Sequence, residues 1–150
     1  MHFLALGLGS GLAPKAPGTF GTLAAIPFFF LIVLLPLWAQ AFVLVAGFLI
    51  GIYLCDKTAR DFGVYDHPAI VWDEFVGLWV TLWVLPLSNT PISIQWVLAG
   101  FVLFRVFDIL KPWPIVWADS KVSGGFGIML DDLLAAVYAG LILFLITEWL

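Results

Sequence analysis

Asp73 and Glu74 stand side by side within the run Ile70-Val71-Trp72-Asp73-Glu74-Phe75-Val76-Gly77-Leu78-Trp79-Val80, and Asp131-Asp132 repeat the arrangement toward the carboxyl end. Both pairs adjoin long apolar stretches, as does Asp108. An unpaired charge in hydrocarbon costs several kcal/mol, so acids kept in such places need a shared positive partner. A hard divalent cation bound by oxygen ligands meets that need, and Mg²⁺ suits carboxylates that also hold a phosphate. Asp73, Glu74, Asp131 and Asp132 are therefore the metal-ligand and catalytic candidates, with Asp108 a fifth catalytic acid. Neighbouring helical residues diverge by about 100°, so one member of each pair is expected to face the metal while the other caps or faces water. Acids in a first helical turn also complement the helix dipole, and either pair alone would be ordinary on that ground. Two pairs and a fifth acid in a chain with 11% charged residues favour a site.

Residues suited to phosphate surround the acids. Ser123-Gly124-Gly125-Phe126-Gly127 runs into one apolar segment and Pro17-Gly18-Thr19-Phe20-Gly21 into another. Glycines at a helix start let backbone N–H groups approach an anion, so Gly18, Thr19, Gly124 and Gly125 are phosphate-binding candidates. Lys15, Arg105 and Lys111 can neutralise the remaining charge. Arg105 and Asp108 are three apart, so an intrahelical ion pair competes with that role. His67 is the candidate general acid, or it orients against Asp66. Cys55 and Arg60 enclose four residues, one short of a cysteine-phosphatase loop, and Cys55 reads as packing. A single cysteine also excludes an internal disulfide.

These residues must be positioned by elements of unusual composition. The chain has 150 residues, 63% of them hydrophobic, and a mean hydropathy of +1.12. Soluble domains carry roughly 25% charged residues, and this sequence lacks a polar shell. It reads as one all-α domain over 1–150, a polytopic membrane bundle of about five hydrophobic spans. The apolar runs are Thr22–Trp38, Gln40–Cys55, Ile70–Leu87, Ile94–Leu110 and Leu130–Leu150. The glycine-broken amino terminus does not read as a cleaved signal peptide.

Five alternating crossings put residues 1–21, 56–69 and 111–129 on one membrane face. All six basic residues and nine of the ten acids belong to that face and the adjoining span ends. The positive-inside tendency makes it cytoplasmic. The acids then share one level near the interface, which suits a pocket mouth rather than an ion path through the membrane. A net charge of −4 argues against nucleic acid.

Gly7-Leu8-Gly9-Ser10-Gly11-Leu12-Ala13-Pro14 with Pro17-Gly18-Thr19, Tyr65-Asp66-His67, Val71-Trp72-Asp73-Glu74-Phe75, Phe104-Arg105-Val106-Phe107-Asp108 with Lys111-Pro112-Trp113-Pro114, and Gly124-Gly125-Phe126-Gly127-Ile128-Met129 with Asp131-Asp132 follow one another along the chain. In this order the blocks resemble the phosphatidylglycerophosphatase A family over nearly the whole length. The resemblance implies an all-helical, Mg²⁺-dependent lipid phosphatase of the bacterial inner membrane. Such an enzyme converts phosphatidylglycerophosphate in the cytoplasmic leaflet to phosphatidylglycerol and phosphate, with no obligatory protein partner inferred. Two other classes share one-sided acids: a small ion carrier or metal-binding subunit, and a lipid headgroup transferase. The first is disfavoured by the lack of a repeated half, and the second would need an activated donor.

Overall fold

The apolar runs fold as helices. The computed structural model describes residues 1–150 and contains eight α-helices and no strand. They are α1 (His2–Ala5), α2 (Pro17–Ile32), α3 (Leu37–Phe62), α4 (Trp72–Leu82), α5 (Val84–Leu87), α6 (Ile94–Leu110), α7 (Ile115–Lys121) and α8 (Gly124–Trp149).

Local sequence explains most of the helix ends. Pro17 opens α2 from the first helical position, where its missing N–H costs nothing. Gly63, at φ 69°, closes α3 in the left-handed conformation, and its N–H donates to Arg60 O. Ser93 caps α6 by accepting from Trp96 N. At the other end of α6, Lys111 adopts φ 48°, which turns the chain sharply before Pro112.

Only α3 and α8, 26 residues each, are long and apolar enough to cross a membrane by themselves. The expectation of about five full-length spans therefore meets shorter helices. The first apolar run forms a 16-residue helix that ends at Ile32, and the third breaks at Trp83 into α4 and α5. A single unbroken crossing needs about 20 residues. The apolar surface is nonetheless extensive: Leu34, Trp38, Phe42, Leu49 and Leu110 are among many large side chains left exposed. Patches of that extent suit lipid rather than water.

α4 is the buried centre. Phe75, Val76, Leu78, Trp79 and Leu82 are all buried, and α2, α3, α6 and α8 pack around them. Two indole N–H groups fix its rotation, Trp72 Nε1 donating to Gly47 O of α3 (3.0 Å) and Trp79 Nε1 to Ala25 O of α2 (3.0 Å). Such bonds matter in an apolar core because an unpaired donor there is costly. At one end of the bundle, Gln40 ties three elements together. Its amide nitrogen donates to Leu35 O beyond the end of α2 (2.8 Å), and its oxygen accepts from Trp83 Nε1 (3.1 Å). Charged residues crowd the opposite end, where α2, α4 and α8 begin and α3 and α6 finish.

Candidate active site

Those helix ends enclose a pocket of about 260 Å³. Six of its twelve lining residues are carboxylates: Asp66, Asp73, Glu74, Asp108, Asp131 and Asp132. Arg105, Lys111 and His67 also line it. The acids form three overlapping triads, in each of which the ligand oxygens lie within 4.8 Å of one another. Asp73, Asp131 and Asp132 make the central triad, Glu74, Asp108 and Asp132 the second, and Asp66, Asp119 and Asp131 the third.

Both members of each acidic pair line the pocket, so neither pair divides into one residue at the site and one turned to water. The cavity lies in the wedge between α4, α6 and α8, so side chains about 100° apart still converge on it. Glu74, one methylene longer, reaches the Asp108 side while Asp73 meets Asp131.

The two protein cations serve the flanks. Arg105 Nη1 donates to Glu74 Oε1 (3.4 Å) and to Asp108 Oδ2, so the intrahelical pair forms and is extended to α4. Lys111 Nζ donates to Asp119 Oδ1 (3.0 Å) and Asp131 Oδ2 (2.9 Å). Burial alone would lower the Lys111 pKa, but the hydrogen bonds and charges of Asp131 and Asp119 push it above the ordinary lysine range. The left-handed turn at Lys111 brings this side chain back over the acids.

The central triad has no such neutralisation beyond the shared Asp131. Asp73 Oδ1, Asp132 Oδ2 and Glu74 Oε2 are buried without a hydrogen-bond partner, as is Arg105 Nε. Asp73 and Asp132 are only 6% and 3% exposed. Buried carboxylate oxygens are ordinarily hydrogen-bonded. Three orphaned oxygens beside two committed cations fit a hard cation held by oxygen, and Asp73, Asp131 and Asp132 are the residues placed to hold it.

Of the phosphate-binding candidates, Gly18 comes to the edge of the pocket, against Glu74 and Arg105, whereas Thr19 lines a neighbouring apolar groove. A Cβ on Gly18 would lie 2.5 Å from Glu74 Oε1 and 3.1 Å from Arg105 Nη2. The Thr19 and Phe20 N–H groups return to Ala16 O, leaving Gly18 as the free donor of that first turn. Gly124 and Gly125 lie elsewhere. Gly125 N–H is taken by Asp56 Oδ1 of α3 (3.2 Å), and the absent Cβ lets α8 pass against the Ile52 carbonyl. These glycines allow two helices to approach, a packing role that sequence alone does not distinguish from anion binding. Lys15 is exposed, forms no ion pair and does not line the pocket.

His67 lines the pocket, but its partner is not Asp66. Its Nδ1 accepts from Ala69 N–H (3.1 Å), and its ring stands edge-on to Phe62. The neutral ring therefore carries its proton on Nε2. Asp66 stays exposed at the pocket mouth, yet the surrounding protein removes enough water to push its carboxyl up to about 6, against the opposing pull of Lys111. Asp66 and Asp119 join the acid cluster although neither was a sequence-level candidate. Asp66 was signalled by its place beside His67; Asp119 carried no signal, because only the fold of α7 brings it to Lys111.

Comparison with known proteins places the chain in a family. The sequence profile described as phosphatidylglycerophosphatase A matches residues 3–147. The chain is 53% identical over 149 residues to phosphatidylglycerophosphatase A of Escherichia coli, covering 99% of this chain and 84% of that protein. It is 50% identical over 152 residues to the Haemophilus influenzae protein of the same name, covering 100% and 90%. A provisionally named phosphatidylinositol-3-phosphatase of Bacteroides thetaiotaomicron is 40% identical over 151 residues, covering 95% and 90%. No solved structure matches the chain. With the match running across nearly its whole length, this chain is an enzyme of the phosphatidylglycerophosphatase A family.

Proposed function

We propose that the enzyme hydrolyses the terminal phosphate monoester of phosphatidylglycerophosphate, giving phosphatidylglycerol and inorganic phosphate, with Mg²⁺ held by Asp73, Asp131 and Asp132. The central triad carries this reading: its oxygens on Asp73 and Asp132 are buried and unpartnered while Arg105 and Lys111 are engaged on the flanks. The relatives' names agree in chemistry, each denoting removal of phosphate from a phospholipid.

Bound at the triad, Mg²⁺ would offset negative charge on the transferring phosphoryl group. The chain's own groups do the rest. Glu74 Oε2 faces the same space and adds a further carboxylate oxygen. The Gly18 N–H and the neighbouring Arg105 Nη2, which takes no part in the ion pairs made by Nη1, are the donors on the α2–α6 side, and they bind the non-bridging phosphate oxygens. Lys111 holds Asp131 in place through its 2.9 Å hydrogen bond. His67, held by Ala69 N–H, is the group placed to donate an Nε2–H hydrogen bond to the leaving glycerol oxygen. The attacking water forms the new P–O bond, and its proton passes to that oxygen as the bond to glycerol breaks.

In this reading α2, α3, α4 with α5, α6 and α8 are five crossings of the bacterial inner membrane. The end bearing the acids faces the cytoplasm, because every lysine and arginine lies in or next to its loops. A phospholipid headgroup of the cytoplasmic leaflet sits at that level, so the lipid tails can stay in the bilayer during the reaction.

The direct test is incubation of purified protein with phosphatidylglycerophosphate and assay of released phosphate. Chelator is expected to bring release to background and added Mg²⁺ to restore it. Release that persists in excess chelator would remove the metal from the scheme, and none in the presence of Mg²⁺ would remove the function. Gly18→Ala tests the phosphate-binding edge. Its Cβ must displace Glu74 or Arg105, and kcat/KM is expected to fall about tenfold, as for other misplaced catalytic groups. The thermal midpoint in detergent should stay close to wild type.

A further inference from the structure

An apolar groove of about 350 Å³ lies between α2 and α6. Phe101, Val102, Val106 and Leu110 form its wall on α6, and Thr19 of α2 stands opposite. Val102, Val106 and Leu110 are spaced four apart, so they share one helix face, and all three are exposed. The groove has a polar head: Arg105 and Ile109 line both it and the acid pocket. Gly18, with no side chain, sits where the two cavities meet, against Glu74 and Arg105.

Other apolar hollows lack this connection. One of about 270 Å³ between α3 and α4 is lined by Ala41, Leu44, Val45, Phe48, Val80 and neighbours, with no polar residue. A wider one beside Phe20 and Leu23 ends at the amino-terminal Gly9–Ala13 segment. Neither shares a residue with the acid pocket. A lipid monoester whose phosphate sits among the acids must send its tails along some apolar surface. Of these three paths, the α2–α6 groove alone begins at the acid pocket.

We propose that the groove between α2 and α6 binds an acyl chain of the lipid substrate, so that the phosphate enters the acid pocket sideways from the bilayer, past Thr19 and Arg105. The proposal rests on the lipid phosphatase reading above and adds the route and the residues that recognise the tail. Contacts remote from the reacting phosphorus raise kcat/KM when their binding energy orients the reacting end. The groove is then a determinant of chain length.

The test compares two substrates: dioleoyl phosphatidylglycerophosphate in mixed micelles and a soluble short-chain analogue with the same headgroup. Val102→Trp with Val106→Trp fills the groove from its lipid side. The long-chain kcat/KM is expected to fall about tenfold or more, and the short-chain value to stay within about twofold. Equal losses on both substrates, no loss on either, or the same loss from Val45→Trp in the α3–α4 hollow would overturn the proposal. A second measurement needs no variant. Phosphatidylglycerophosphate with a diazirine on its acyl chain is photolysed with the wild-type protein. Label on residues 101–110 that is displaced by excess unlabelled substrate, but not by phosphatidylcholine, is the expected result. Label centred on residues 41–48, or displaced equally by both lipids, counts against it. If wild-type protein releases no phosphate from either substrate, the phosphatase reading has failed, while the crosslinking still decides the groove.

Discussion

Asp132→Asn is expected to lower kcat/KM for phosphate release by about 10³-fold or more, equivalent to ~4 kcal/mol of lost transition-state stabilisation. Asp132 is the acid common to the central and second triads, so one substitution weakens both. Its Oδ2 is buried with no partner, and an amide in its place offers no full negative charge to a cation. The same substitution has an opposite effect on the metal-free protein. An uncompensated buried charge destabilises a fold, and removing it relieves that cost. The metal-free thermal midpoint in detergent should therefore rise, while the upward shift given by Mg²⁺ in the wild type should shrink or vanish. A fall in both activity and metal-free stability would mean that Asp132 holds the bundle together rather than a cation. Near-normal turnover would end the assignment altogether.

Gly125→Ala is expected to carry the largest stability cost of any single-methyl change in the bundle, about 2–3 kcal/mol by analogy with overpacked cores. Its Cβ would collide with the Ile52 carbonyl and lie 2.7 Å from Asp56 Cβ. Backbone cannot step aside as a side-chain tip can, so α8 must separate from α3. The shift would also break the Gly125 N–H hydrogen bond to Asp56 and displace Asp131 and Asp132 two turns further along. Activity should fall with stability. Gly47→Ala on α3 is the control. There a Cβ meets nothing closer than Val76 Cγ2 at 3.4 Å, and alanine gains up to about 1 kcal/mol of helix propensity. Denaturation midpoints of the two variants in one detergent should therefore move in opposite directions. A neutral Gly125→Ala would contradict the close approach of α3 and α8.

The helices were easier to read than their limits. Hydropathy marks the stretch that avoids water, and a helix continues wherever its backbone hydrogen bonds do. α3 thus runs seven residues beyond the expected end at Cys55, through Asp56–Phe62. Its polar turns there carry ion pairs four residues apart, Lys57 with Asp61 and Arg60 with Asp56. α8 begins at Gly124 rather than Leu130, because glycines that look like a loop in sequence are the contact surface with α3. α2 likewise starts at Pro17 rather than Thr22.

The amino-acid sequence by itself determined that the chain is helical and strongly apolar, that its charges gather at one end, and that Asp73, Glu74, Asp108, Asp131 and Asp132 belong to that end. These are properties of composition and spacing, legible without knowing which segments touch. Tertiary structure decided the rest. It placed both members of each acidic pair in one pocket, assigned Arg105 to Glu74 and Asp108, and turned Lys111 onto Asp131. It also left Lys15 outside and gave Gly125 to helix packing. The physical reason is that a buried charge is compensated by whatever lies within a few ångströms. For Asp131 that neighbour is twenty residues away in sequence; for Glu74 it is thirty-one.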